Sequence, residues 1–302
     1  MKSRNQGIVC IICSAFFFAL MNLFVSMAGD VPSLQKVFFR NSVAVFVSFF
    51  ILLKDKSAFH VSKGNWKYVI LRSVAGTLGM ICNFYAISNM KISDASILNK
   101  LSPFFAIVFS YFLLKEKASP VDWIAVAIAF IGALFVVKPQ FSAEAFPAFM
   151  GVLGGLGAGL AYTFLRKATS RGVKGAFVVF FFSLFSCVTT SPYLIFSYHS
   201  MTWQQLICLL AAGASATGGQ LFITTAYTKA PAKEISVFDY TIVIFTAILG
   251  YFVLDELPDG WSVVGYLIIV GVAVFKWFYN LKKEKKERAA LMQAESDQKE
   301  TS

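Results

Sequence analysis

Among the ionisable side chains inside long apolar runs of this chain, four are candidates for chemistry: the cations Arg40, Lys100 and Lys36, and the acid Asp239. A charge at the centre of a membrane helix costs about 2.5–3.5 kcal/mol on insertion scales, so each must face a bundle interior or reach an interface. Lys36 and Arg40 are four residues apart and share one helix face, with Lys36 near the end of its run and Arg40 deeper. Lys100 lies about 10 Å into its own run at 1.5 Å per residue. Arg72 and Lys276 are about two turns from a run's end, where snorkelling to the interface is the expectation. The chemistry open to this set is binding, not bond-making. Three cations against one acid favour a small organic anion, or a zwitterion held by its carboxylate. Asp239 has two roles open to it, as counter-ion to Arg40 or Lys100 and as a proton-coupling group. Asn83, Tyr85, Gln220 and Tyr240 complete the candidate substrate-binding set, with Asn22, Tyr162, Thr224 and Tyr227 as further mid-run polar groups. For each of these, bonding between helices is the competing use.

Bond-making chemistry lacks its parts. The two histidines, His60 and His199, fall in loops expected on opposite sides of a membrane. The chain has no Walker sequence and no Ser-centred G-x-S-x-G, so a membrane-embedded acyltransferase is only a remote alternative. Cys10 and Cys13 make a C-x-x-C in an apolar helix with no second pair, which argues against metal or redox work, and no cofactor is expected. All five cysteines lie in apolar runs, so no secreted-type disulfide framework is indicated. A channel would need a filter motif, and none is evident.

The elements that must position these residues are membrane helices. Of 302 residues, 57% are hydrophobic and 14% charged, against about 45–50% and 25% in soluble domains. Basic residues scattered between apolar runs also argue against nucleic-acid binding. Ten stretches reach membrane-spanning length: 8–28, 33–53, 66–88, 93–114, 121–137, 148–165, 175–197, 203–227, 234–254 and 261–280. With the N-terminus inside, twenty of the 27 Lys and Arg fall in inner loops and tails and two in outer ones. The positive-inside rule therefore puts both termini in the cytoplasm of an inner or plasma membrane. Residues 281–302 read as a charged cytoplasmic tail, solvated and partly disordered.

An offset of 140 residues organises the rest. Residues 85–116 align without a gap on 225–256, matching Ala86 with Ala226, Ser96 with Ser236, and Phe105 with Phe245. The alignment ends on Tyr111-Phe112, Leu114 and Glu116 against Tyr251-Phe252, Leu254 and Glu256; upstream, Thr77 and Gly79 match Thr217 and Gly219. A five-span unit crosses an odd number of times, so its second copy enters the membrane upside down. Inverted repeats of this kind hold substrate near mid-depth and work by alternating access.

The aromatic-x-L-x-E close of each copy's fourth helix (Phe112 to Glu116, Phe252 to Glu256), with Ser102-Pro103 inside the first, resembles the EamA-type permeases of the drug/metabolite transporter superfamily. That resemblance implies an all-α integral membrane protein of ten helices, in two inverted five-helix repeats around a central cavity. The repeats would span residues 7–139 and 148–280. It also implies export of a small-molecule metabolite across the lipid bilayer. The second copy departs from the pattern, with Val243 where Pro103 aligns and Asp239-Tyr240 in place of Asn99-Lys100. The leading expectation is a secondary exporter of an organic anion or zwitterion. The alternative is a drug or neutral or aromatic amino-acid exporter whose cations are structural. Gly-x-x-x-Gly pairs such as Gly151/Gly155 suit helix association within one chain or across a homodimer.

Overall fold

Apolar runs of this length leave the backbone no water to bond to, and helix is the local answer. The computed structural model describes residues 2–54, 61–115, 118–137, 145–229 and 236–300, and among them the chain is helical without strands. Ten helical runs are long and apolar enough to cross a membrane. In order they are α1 (Lys2–Met27), α2 (Ser33–Leu53), α3 (Trp66–Asn89), the broken span α4 (Ile92–Asn99) with α5 (Ser102–Leu114), α6 (Pro120–Val137), α7 (Ala145–Thr169), α8 (Gly175–Phe196), α9 (Trp203–Lys229), a second broken span of a 3-10 turn Ser236–Tyr240 with α10 (Thr241–Leu254), and α11 (Gly260–Glu300). An even number of crossings puts both termini on one face of the bundle.

The two breaks sit at aligned positions, 140 residues apart. In the first, Pro103 lacks the N–H that would bond the Asn99 carbonyl and its ring clashes with that turn, so α4 stops and α5 restarts at Ser102. The second break, at Tyr240 (φ −69°, ψ −11°), forms without a proline. Each broken span also ends alike, on a non-glycine residue in the left-handed region, Lys115 at φ 56° and Asp255 at φ 53°. Their N–H groups return to Ser110 and Gly250 and close the last turn.

Helix pairing is cross-wise: α3 lies along α7, α1 along α9, α2 along α8, and α6 along α11. The first broken span packs on α7, and α10 packs on α1 and α4. The α3–α7 seam is tight because glycines face each other: a Cβ on Gly157 would stand 2.6 Å from the Gly79 Cα and 2.9 Å from the Ala75 carbonyl oxygen. Helical backbone continues to Glu300, where a disordered tail is expected from charge alone. The Ala, Glu, Lys, Gln and Arg that dominate the tail are strong helix formers. Glu116, Glu234 and His60 lie outside the described residues, as do the side chains of Thr224 and Tyr227.

Gly157→Ala should lower the thermal unfolding midpoint, with overpacking of about 1–3 kcal/mol, because its neighbours there are backbone. Gly271→Ala, where a Cβ meets nothing within 4 Å, should leave the midpoint unchanged or raise it. Equal responses of the two variants would contradict this account of the seam.

Candidate functional site

Between the helix pairs lies a cavity of about 1500 Å³. Arg166 of α7 and Lys276 and Asn280 of α11 line it near the face that carries the termini, while Asn22 of α1 and Asn83 of α3 line its far end. Its walls carry Arg40, Lys100, Asn83, Gln220, Asp239 and Tyr240 of the sequence-derived set. Lys36 and Tyr85 are not among the lining residues.

At mid-depth the two breaks meet. Lys100, the residue that caps α4, forms an ion pair through Nζ with Asp239 Oδ2, and their side chains are 14% and 22% exposed. The Tyr240 hydroxyl donates to the Lys100 carbonyl oxygen at 3.2 Å, a group the broken helix leaves without its usual partner. Each break therefore supplies what the other lacks. Of the two roles open to Asp239, the geometry fits the counter-ion to Lys100.

The arginines are placed differently. Arg40 is 9% exposed; its Nη1 donates to Asn41 Oδ1 at 2.6 Å, and its Nε has no partner among the described residues. Arg72 does not snorkel: its guanidinium lies 3.8 Å from the centre of the Phe182 ring, with Nε and Nη1 buried and unpartnered. The interface was the expectation for a cation near a helix end, but an aromatic face on α8 holds this one. Both arginines bound a side recess of about 70 Å³, together with Gln220. Lys276 does reach toward the near end of the bundle, where Asp122 stands in the first turn of α6. Its Nζ meets Asp122 Oδ1 at 3.0 Å.

Among the described residues, three acceptors inside the cavity are likewise buried without a partner: Asn22 Oδ1, Asn83 Oδ1 and Asp239 Oδ1. Sequence reasoning names all three residues and Tyr162, but not Arg72, as site candidates. What Arg72 lacked was any sign in the sequence that Phe182 would hold it inside.

Away from the termini the bundle is closed. Lys36 is fully buried, donating to the carbonyl oxygens of Val25 (3.0 Å) and Gly29 (2.7 Å) and to Ser88 Oγ (2.5 Å). The Gln35 side chain exchanges two hydrogen bonds with the His199 backbone. Lys91 Nζ donates to the Leu257 carbonyl oxygen, and Glu256 Oε2 accepts from the Ile92 N–H at 2.8 Å. Beside them the Tyr266 hydroxyl donates to Asp94 Oδ1. Tyr85 packs edge-on to Phe146. Burial and the neighbouring Asp94 push the Glu256 carboxyl up, and the Ile92 N–H and Lys91 offset part of that.

Comparison with known proteins gives this arrangement a family. The EamA-like transporter family matches residues 5–138 and again 145–293. The chain is 29% identical to the pseudopaline exporter CntI of Pseudomonas aeruginosa strain UCBPP-PA14, over 88% of this chain and 94% of that protein. Human solute carrier family 35 member G1 is 28% identical, over 91% and 81%. A riboflavin transporter of Rhizobium johnstonii is 23% identical, over 93% of each. One solved crystal structure superposes with a TM-score of 0.62 at 17% identity, covering 89% of this chain and 95% of that one, which speaks to the fold. The chain belongs to the EamA-like transporter family, and it is a membrane transporter, not an enzyme.

Two measurements test the geometry itself. Removing one partner of the mid-depth pair leaves a desolvated charge, so Asp239→Asn and Lys100→Gln should each cost about 3 kcal/mol, toward the lower end for breaking buried pairs because both groups keep some exposure. The double variant should be more stable than the sum of the singles predicts, and plain additivity would mean that the pair does not couple. Glu256 gives a pH test. Its folded-state carboxyl titrates above the ordinary glutamate range of about 4.3, so the ionised form is disfavoured in the fold. Stability should fall as pH rises from that range through the raised value, and Glu256→Gln should remove this component.

Proposed function

We propose that this transporter exports a small organic metabolite bearing a carboxylate, by alternating access, with Arg40 and Arg72 as the groups that hold the anion. One observation carries the reading. Two arginines of the cavity, Arg40 buried and Arg72 half-buried, have buried donors without partners among the described residues, while the mid-depth cation Lys100 has its acid. An uncompensated cation in low dielectric is costly, and two of them bounding one recess are a standing demand for an anion. Arginine's planar fork suits a carboxylate better than a point charge does. Gln220 lies in the same recess and Tyr240 steadies the break below.

The alternating-access part rests on two five-helix repeats, 7–139 and 148–280, inverted with respect to each other. What supports it is correspondence at an offset of 140 residues: the aligned breaks at 100 and 240 and the aligned left-handed ends at Lys115 and Asp255. The helix pairs agree. Exchanging each span with the one five places along turns α3–α7 into α9–α1 and leaves α2–α8 and α6–α11 as they are. In the orientation given by the Lys and Arg count, both termini are cytoplasmic in an inner or plasma membrane. The cavity then faces the cytoplasm, the loading state of an exporter, and the network from Lys36 to Glu256 is its closed outer side. The naming of one relative as an exporter supports the direction.

A second reading, in which a neutral or cationic drug is the cargo and the cations are structural, has the Arg72–Phe182 contact in its favour. Transport in proteoliposomes separates the two. Hydrogen bonds to charged groups are worth about 1.5–3 kcal/mol, so Arg40→Gln and Arg72→Gln should each slow carboxylate transport by about tenfold or more. Neither should lower the unfolding midpoint appreciably, since each removes an uncompensated charge. Folded variants that transport carboxylates at the original rate would sink the proposal in favour of the drug reading.

A further inference from the structure

Outside the cavity, on the face that carries the termini, two segments far apart in sequence are fastened together. Asn65, just before α3, is 6% exposed, and its Nδ2 donates to the Arg171 carbonyl oxygen at 3.2 Å and to Ser62 Oγ at 2.9 Å. Trp66, the first residue of α3, packs edge-on to Phe177 and Phe181 of α8, with ring centres 5.9 and 5.4 Å apart. The two helices therefore start side by side. Leu52, Val69, Val173 and Phe177 form an apolar layer beneath them.

This fastening gathers cations. The Arg171 guanidinium lies 4.9 Å from the centre of the Tyr68 ring, and Lys67 Nζ lies 5.1 Å from the same centre. Lys63 stands four residues before Lys67, in the turn Lys63–Asn65. All three cations are exposed. Residues 61–72 and 166–178 contain no Asp or Glu. Positive-inside topology asks for cations on one face, but not that two distant segments bring theirs to one ring. Cations gathered in this way repel one another, and an anion relieves the repulsion.

The level of the cluster tells which anion. The spans Lys63–Asn89 and Gly175–Phe196 both begin here, so the charges stand where hydrocarbon gives way to headgroups. Trp66, 36% exposed, is a residue type that settles at that level. Below it the rings of Phe177, Phe181 and Phe185 stack in a row along α8, with centres 6.1 and 6.4 Å apart. Phe181 and Phe185 are only half-buried, which leaves a ridge for a hydrocarbon chain to lie on. A soluble anion would use the charges alone. An anionic phospholipid uses both.

We propose that Lys63, Lys67 and Arg171 bind the phosphate of an anionic phospholipid whose acyl chain lies along Phe181 and Phe185. In the orientation proposed above, this lipid belongs to the cytoplasmic leaflet. It ties the segment around Asn65 to the segment around Arg171, and so stabilises the folded bundle.

The test is lipid titration of the full-length protein in detergent, read by native mass spectrometry and by the unfolding midpoint. The probes are phosphatidylglycerol, phosphatidylcholine with the same chains, and inorganic phosphate. Phosphatidylglycerol should bind saturably and raise the midpoint, since a ligand of the folded state stabilises it. Lys67→Gln and Arg171→Gln should each weaken that binding about fivefold, as expected for one cation beside an anionic headgroup. The double change Lys282→Gln/Lys283→Gln, which removes two charges from α11 on the same face, should leave it unchanged. In the unmodified protein, raising NaCl from about 0.1 M to about 0.5 M should weaken phosphatidylglycerol binding and spare phosphatidylcholine. Phosphatidylcholine binding as tightly would overturn recognition by charge. Inorganic phosphate raising the midpoint as much at the same concentration would overturn the lipid assignment. A loss in the Lys282/Lys283 variant equal to that in the site variants would reduce the site to general attraction between charges, and the proposal would fall.

Discussion

A helix can be broken inside a bilayer only if the protein itself satisfies what the break exposes, because no water is there to do it. This chain has two broken spans, and each is completed by the other. The carbonyl oxygen of Lys100 receives the Tyr240 hydroxyl, and the ammonium of Lys100 receives Asp239. Close approach from α7 finishes the seal. A Cβ on Gly155 would stand 2.7 Å from the Leu98 carbonyl oxygen, so only glycine lets that helix lie against the broken turn. The mid-depth cavity exists because the spans around it are interrupted, and the interruption holds because the two breaks face each other.

The closed side of the bundle follows another logic. Its contacts are hydrogen bonds, most of them onto backbone groups: Lys36 onto Val25 and Gly29, Gln35 with His199, Lys91 onto Leu257, Glu256 onto the Ile92 N–H. Each contributes about 1–3 kcal/mol at most, and each would have water as an alternative partner if the side were to open. Such a surface can part and re-form, unlike the α3–α7 seam, where glycine backbone meets glycine backbone. Tight seams along helix pairs and exchangeable polar contacts across one face are what a bundle needs if it is to rock without coming apart.

Much of this was legible in the sequence. Ser33–Leu53 is expected and found residue for residue, since apolar length has only one solution in hydrocarbon. Lys100 and Asp239 could be picked out because charge in an apolar run is rare enough to need a reason. The sequence did not tell their partners apart, because Asp239 was equally available to Arg40. Arg72 misled for a physical reason: depth along a helix can be counted, but which way the side chain turns is decided by Phe182, 110 residues away and on another helix. Lys36 shares a helix face with Arg40 by spacing, yet only Arg40 lines the cavity. A four-residue interval still leaves about 40° between two side chains, and two long flexible ones can end far apart.

The point where the two halves depart in sequence is also where they meet in space. Under the proposed inverted repeat, positions 99–100 and 239–240 are equivalent and lie close to the axis relating the repeats. The ion pair joins positions 100 and 239, which are not equivalent at that offset, since 100 aligns with 240 and 99 with 239. Each copy therefore supplies one partner, and the second pair that exact symmetry would make is missing because 99 is Asn and 240 is Tyr. The same holds for Pro103 and Val243: one break is enforced by covalent geometry, while the other forms without proline and carries Tyr240 to cap the first. The scaffold can stay nearly symmetric because helix pairing and terminal turns are satisfied equally well twice over. The site cannot, because its ion pair and its tyrosine cap each take a different residue from the two copies.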